Sequence, residues 1–144
     1  MTTSKYRLGL ARRAANALVS VLLRFGLGPA RTYLLTVAGR RSGAPRTTPV
    51  TLVEEGGQRW LVAPYGEVTW VRNLRAAGKA ALSRGGRTDL ITVREIAADE
   101  AAPVLKMYVT RVPITRPYFD VKPESNLAAF RAEASRHPVF TIVG

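Results

Sequence analysis

The stretch Thr47-Thr48-Pro49-Val50-Thr51-Leu52-Val53-Glu54-Glu55-Gly56-Gly57-Gln58-Arg59-Trp60-Leu61-Val62-Ala63 decides the fold. β-Branched and apolar residues run from Thr47 to Glu54 and again from Gln58 to Ala63. The Gly56-Gly57 pair between them supplies the positive φ angles of a tight hairpin, so the two runs are expected to pair antiparallel. Working outward, Tyr33 to Val37 reads as the preceding strand. Lys79 to Arg84 and Arg87 to Ile96 form a second hairpin across Gly85 and Gly86, and Pro138 to Val143 is a closing strand. About six strands joined mostly by short turns favour an antiparallel sheet closed into a small barrel, because closure removes exposed edges. A parallel doubly wound sheet would need long crossovers instead.

Helical patterns lie between the strands. Thr69 is expected to cap a helix over Trp70 to Ala77 that Gly78 stops, and Asp99 to cap one over Glu100 to Arg111 with Pro103 in or just after its first turn. Val112 to Pro123 reads as a proline-punctuated loop, and Asn126 to Ser135 as a helix. Near the amino terminus, Ser4 to Phe25 carries Ala11, Ala15, Leu18, Leu22 and Phe25 on one stripe and Arg12, Arg13 and Arg24 on the other. Its apolar run is too short and too polar to span a bilayer. The basic amphipathic segment 5–25 suits either packing on the domain or resting on an anionic membrane surface. No repeat or linker divides the chain, so residues 1–144 are expected to form a single domain, with the amphipathic helix in 1–28 and the barrel in 32–144.

Of 144 residues, 47% are apolar, which argues against disorder. Cysteine is absent and His137 is the only histidine, so neither a disulfide framework nor a metal site is expected, and a cytoplasmic setting is. No Ser-His-Asp arrangement, Walker motif or G-x-G-x-x-G fingerprint is suggested. The net charge of +12 is unevenly placed: nine basic residues from Lys5 to Arg46 precede Glu54, the first acid. That field recruits phosphates or anionic surfaces. Nucleic acid is not expected, because aromatics are only 8% of the chain and are not interleaved with the basic cluster.

Three constellations could carry chemistry. Gly39-Arg40-Arg41-Ser42-Gly43-Ala44-Pro45-Arg46-Thr47-Thr48-Pro49 is a turn between strands with three guanidinium groups. Such forks match phosphate or carboxylate oxygens, and the glycines let backbone N–H groups approach an anion. A solvated hairpin loop is the competing reading. The second runs from Ala63, Pro64 and Tyr65 through Trp70 to Asn73 and Leu74, where Tyr65 and Trp70 could wall a flat ring. Trp70 equally fits a core, and Asn73 a cap or surface position. The third comprises Tyr108, Tyr118 and Phe119 with Arg111 and Arg116, a candidate binding loop or plain packing.

On the residues Tyr33-Leu34-Leu35-Thr36-Val37-x-Gly39-Arg40-Arg41-Ser42-Gly43-x-x-Arg46-Thr47-Thr48-Pro49, then Trp70-x-x-Asn73-Leu74, then His137-Pro138-Val139-Phe140, the chain resembles the deazaflavin-dependent nitroreductase family. The resemblance implies a split β-barrel, like that of FMN-binding pyridoxamine phosphate oxidases, holding coenzyme F420, with FMN as the alternative. It places the cofactor's phosphate and acidic tail on Arg40, Arg41, Ser42, Gly43 and Arg46. The ring would lie along Thr48, Pro49 and Val50, with Ala63, Pro64 and Tyr65 at its far edge, and Thr47, Trp70 and Asn73 complete the implied cofactor site. Such enzymes pass a hydride to a quinone-like, nitroaromatic or lipid-like acceptor, and Tyr108 and Tyr118 become candidates for an acceptor wall or proton donor. A homodimer is expected by the same likeness. Only four residues separate Tyr65 from Trp70, fewer than in nitro-reducing members, and with the basic amino terminus this resembles a membrane-associated branch at the inner face of the plasma membrane. The alternative function is a non-catalytic barrel that carries a fatty acid, a tetrapyrrole or another amphiphile.

Overall fold

The computed structural model describes Leu18 and residues 31–143, so the amphipathic segment Ser4 to Phe25 and its proposed membrane contact lie outside the described residues apart from Leu18. Six strands are present: β1 (Thr32–Ala38), β2 (Pro45–Glu55), β3 (Gln58–Val62), β4 (Lys79–Arg84), β5 (Arg87–Glu95) and β6 (Val139–Ile142). They close into an antiparallel barrel in the order β1-β2-β3-β6-β5-β4, with β4 hydrogen-bonded back to β1. The two long strands make closure possible. β2 pairs with β1 over Pro45–Thr51 and with β3 over Leu52–Glu55, and β5 likewise passes from β4 to β6 at Val93. The fold is mostly β with peripheral helices, as the glycine hairpins imply: Gly56 and Gly57 have φ of 56° and 81°, and Gly85 and Gly86 of 58° and 79°.

Two cores explain the apolar runs. Inside the barrel Leu35, Val37, Val50, Leu52, Leu61, Leu82, Ile91 and Phe140 meet Val71 and Leu74 from helix α1 (Thr69–Ala77). Outside it Val53, Val62 and Val139 meet helices α2 (Ala98–Arg111) and α3 (Leu127–Glu133) through Val104, Leu105, Val109 and Phe130. Successive strand residues face opposite sides, so Leu52-Val53, Leu61-Val62 and Val139-Phe140 each fill both cores at once.

Helix starts differ from the sequence reading. Thr69 is the first helical residue rather than a cap: Val68 is the N-cap, with no side-chain bond, and Gly66 at φ 87° turns the chain into the helix, its carbonyl accepting from Val68 N–H. Asp99 lies inside α2, after the N-cap Ala97, and its carboxylate meets Arg131 of α3 at 3.2 Å. This earlier start leaves Pro103 beyond the first turn, on an exposed face. The loop expected over Val112 to Pro123 contains a 3-10 helix, Pro113–Tyr118, which its opening proline pre-shapes. Asn126 does cap α3, accepting from Ala129 N–H at 3.0 Å.

Candidate functional site

The turn between β1 and β2 is built by its own backbone. Gly39 N–H donates to the Ala44 carbonyl and Gly43 N–H to the Gly39 carbonyl, both at 2.8 Å, while Gly43 takes φ 74°, a conformation costly for any side-chain-bearing residue. Residues Arg40 to Thr47 are exposed on it, apart from their ties to the barrel. One such tie is Asn73 on α1, only 2% exposed, whose Oδ1 accepts both the Arg40 backbone N–H and Arg40 Nη1 at 3.0 Å. Asn73 is thus neither a surface residue nor a cap, and its acceptor oxygen is committed to holding the turn against the helix.

Charge is distributed unevenly around this turn. Nine of the ten acids are engaged by basic groups away from the turn: Arg31, Arg59, Arg75, Arg94, Arg111, Arg131, Arg136 and His137 take them. Arg75, clamped between Glu67 and Glu95, illustrates the pattern, its pKa raised chiefly by the Glu95 hydrogen bond. Among the described residues no carboxylate reaches Arg41 or Arg46, so the positive field at the turn is left for a mobile anion.

The adjoining strand offers two faces. Cross-strand partners share a face, so Arg46 and Thr48 stand with Val37 and Leu35 on the barrel-interior side, whereas Thr47 and Pro49 stand with Thr36 and Leu34 outside. Thr36 and Thr47 join hydroxyls at 2.8 Å, and Val50 is buried in the inner core. The period of two therefore sets Thr48 and Val50 on the opposite face of β2 from Thr47 and Pro49. Trp70 is half-buried, tilted against Phe140 at 6.4 Å, as a core residue would be.

Ala63 and Pro64 are buried. Tyr65 is half-buried and meets Tyr118, at the end of the 3-10 helix, edge to face at 4.6 Å. The third tyrosine, Tyr108, is only 3% exposed and packs on Phe119; burial pushes its hydroxyl pKa up strongly, nearby Tyr65 adds to this and a hydrogen bond with Thr115 opposes it. A phenol so enclosed is a poor proton donor, which leaves Tyr118 as the accessible candidate of the two.

Behind Tyr65 lies a polar cluster that the sequence reading did not assemble. Glu133, 2% exposed, accepts Asp120 N–H on Oε1 at 3.0 Å and Arg136 Nη2 on Oε2, and Oε1 also lies 3.3 Å from His137 Nε2. His137 Nδ1 faces the Ala63 carbonyl at 3.1 Å, and its ring stacks on Phe119 with centroids 3.9 Å apart. The spacing of Glu133 and His137 by four was the available signal, but it equally describes a solvated helix pair. Burial lowers the His137 pKa, followed by the opposing bond to Ala63 and charge of Glu133, and by Arg136, which lowers it further. Protonation then favours the unfolded chain, so stability is full above the ordinary histidine range near ~6.5 and declines as pH falls toward the lowered native value. Since His137 is the only histidine, one imidazole NMR signal reports it: a midpoint below the ordinary value is expected, and His137→Asn should flatten the dependence of Tm on pH between about 7 and 5. A midpoint above the ordinary value would contradict this.

Among the described residues no helix is long and apolar enough to cross a membrane. Comparison with solved structures agrees with the barrel. An F420-H2 dependent reductase (FDR-A) is 27% identical, with a TM-score of 0.57 over 79% of this chain and 95% of its own. A protein described as a domain-swapped dimer is 22% identical over 99% of this chain and 100% of its own, with a TM-score of 0.59. A pyridoxamine 5'-phosphate oxidase-like protein of Listeria innocua shares the fold at 12% identity and a TM-score of 0.52, over 78% of this chain and 82% of its own. No protein of curated function matches the chain by sequence. The family model described as F420H(2)-dependent quinone reductase matches residues 10–121, most of the length of the chain. The chain therefore belongs to the F420H(2)-dependent quinone reductase family, oxidoreductases that draw on coenzyme F420.

Proposed function

We propose that the Gly39–Arg46 turn holds the phosphate and acidic tail of F420, that the deazaflavin ring lies along the exposed face of β2 at Thr47 and Pro49, and that a quinone binds against Tyr65 and Tyr118. The observation that carries this is the charge ledger: the acids are spent elsewhere, and Arg41 and Arg46 stand without a carboxylate beside a glycine turn. Such a turn fits a polyanionic tail, since guanidinium forks bind phosphate and carboxylate oxygens bidentately. Arg40 contributes differently, as a strut between the turn and Asn73.

When bound, the reduced cofactor supplies the hydride. The chain supplies orientation and exclusion of water. A quinone that takes up a hydride also needs one proton to become a hydroquinone, and the Tyr118 hydroxyl or solvent provides it. The solved dimeric relative supports a homodimer, and the basic segment 5–25 supports peripheral contact with an anionic membrane, as parts of the same proposal. A haem-type tetrapyrrole carrier is disfavoured, because both ring nitrogens of the single histidine are turned to Ala63 and Glu133.

Reduced F420 mixed with menadione tests the reading. Protein-dependent loss of the reduced cofactor is expected, with a menadione KM that rises in Tyr118→Ala and a reduced kcat if Tyr118→Phe removes the proton donor. Binding of a fatty acid without any such turnover would favour the carrier.

A further inference from the structure

We infer that Glu133 and His137 form a buried positioning unit that holds the Ala63–Gly66 wall and the exit of the 3-10 helix in one geometry, and so shapes the acceptor slot. This rests on the placement of the acceptor against Tyr65 and Tyr118 proposed above.

The unit grips the wall from behind. A carbonyl oxygen only accepts, so the His137 Nδ1 that faces Ala63 O at 3.1 Å carries the hydrogen. One residue later, the Pro138 carbonyl accepts from Ala63 N–H at 2.9 Å. One residue earlier, the Arg136 carbonyl lies where a Cβ on Gly66 would be 3.4 Å away. Three consecutive residues thus brace the segment that carries Tyr65.

The same unit grips the 3-10 helix exit. Glu133 Oε1 accepts from Asp120 N–H, Arg136 Nη1 pairs with Asp120 Oδ2 at 2.8 Å, and the His137 ring lies on Phe119 at an interplanar angle of 21°. Tyr118, whose edge meets Tyr65, immediately precedes Phe119. The charged groups facing the pair are Arg136 and Asp120.

Stability alone does not explain this arrangement. A carboxylate taken out of water loses solvation that its partners only offset, and an apolar side chain of similar size would serve a core as well or better. What a carboxylate adds is direction: both oxygens are claimed, one of them by a backbone N–H of a separate segment, so the two tyrosines are held relative to each other.

Two substitutions separate the bond from the bulk. His137→Phe keeps a ring to stack on Phe119 but donates nothing to Ala63, whereas His137→Asn restores an N–H near the Nδ1 position. In His137→Phe, amide exchange is expected to speed up at Gly66 and Asp120 and to stay unchanged in the β4–β5 hairpin. The menadione KM should rise about fivefold, as one lost hydrogen bond implies, with the Kd for F420 within about twofold of the parent value. His137→Asn should bring both back, and Glu133→Gln, which keeps an acceptor for Asp120, should show a weaker form of the same split. Faster exchange throughout the barrel, or an unchanged menadione KM despite faster local exchange, overturns the inference. A parent chain that fails to bind F420 in titration refutes the site proposal instead, and the exchange data identify that case separately.

Discussion

Replacing Arg41 and Arg46 together by alanine weakens F420 binding by about 1–3 kcal/mol for each charged hydrogen bond lost, a hundredfold or more in Kd when the losses are near the middle of that range. The fold should hold, since both side chains are exposed on the turn and the turn's own bonds are made by Gly39, Gly43 and Ala44. Relieving the repulsion of unpaired cations even favours a small rise in Tm. Affinity of the parent chain should drop with added salt, and that slope should shrink in the double variant, because screening acts on exposed charges. Fluorescence titration with F420 at two ionic strengths reads both effects. Unchanged affinity with a cooperative, unshifted melt would mean that the anion site lies elsewhere.

Asn73→Ala is the second large effect, and it strikes the fold and the site together. Two donors of Arg40 lose their common acceptor, which costs about 1–3 kcal/mol where the polar group stays partly buried, a large part of the margin of a small domain. The same change frees the turn from α1, so affinity for F420 should fall through the lost support of Arg40. Asn73→Asp distinguishes support from contact. It keeps an oxygen for Arg40 and most of the stability, but it sets a negative charge beneath the turn and should still weaken binding. Loss of affinity in neither variant would leave Asn73 with a purely structural role.

The residues show why some of this is legible in the sequence and some is not. Glycine pairs announce hairpins because few other residues adopt two successive positive φ angles, so the strand pairing at Gly56-Gly57 and Gly85-Gly86 can be read locally. The arginine turn is legible for a similar reason, its charge and glycines being contiguous. Caps are not: Thr69 and Asp99 are good cap residues, yet Thr69 is the first and Asp99 the second residue of its helix, with the backbone at Gly66 turning the chain into one and an ion pair to Arg131 engaging the other. Burial of Asn73 depends on Arg40, far away in the chain, and nothing in Trp70-x-x-Asn73 reports it. Nothing local marks Glu133 and His137 as buried either, since it is Ala63 and Asp120, distant in the chain, that close around them.

Titration of the full chain with F420, and with the same deazaflavin stripped of its phosphate-bearing tail, reaches the centre of the question. If Arg41 and Arg46 hold the tail, F420 binds at least about tenfold more tightly than the stripped chromophore, and salt narrows the difference. Equal affinities for the two ligands, indifferent to salt, would contradict an anion cradle at Gly39–Arg46.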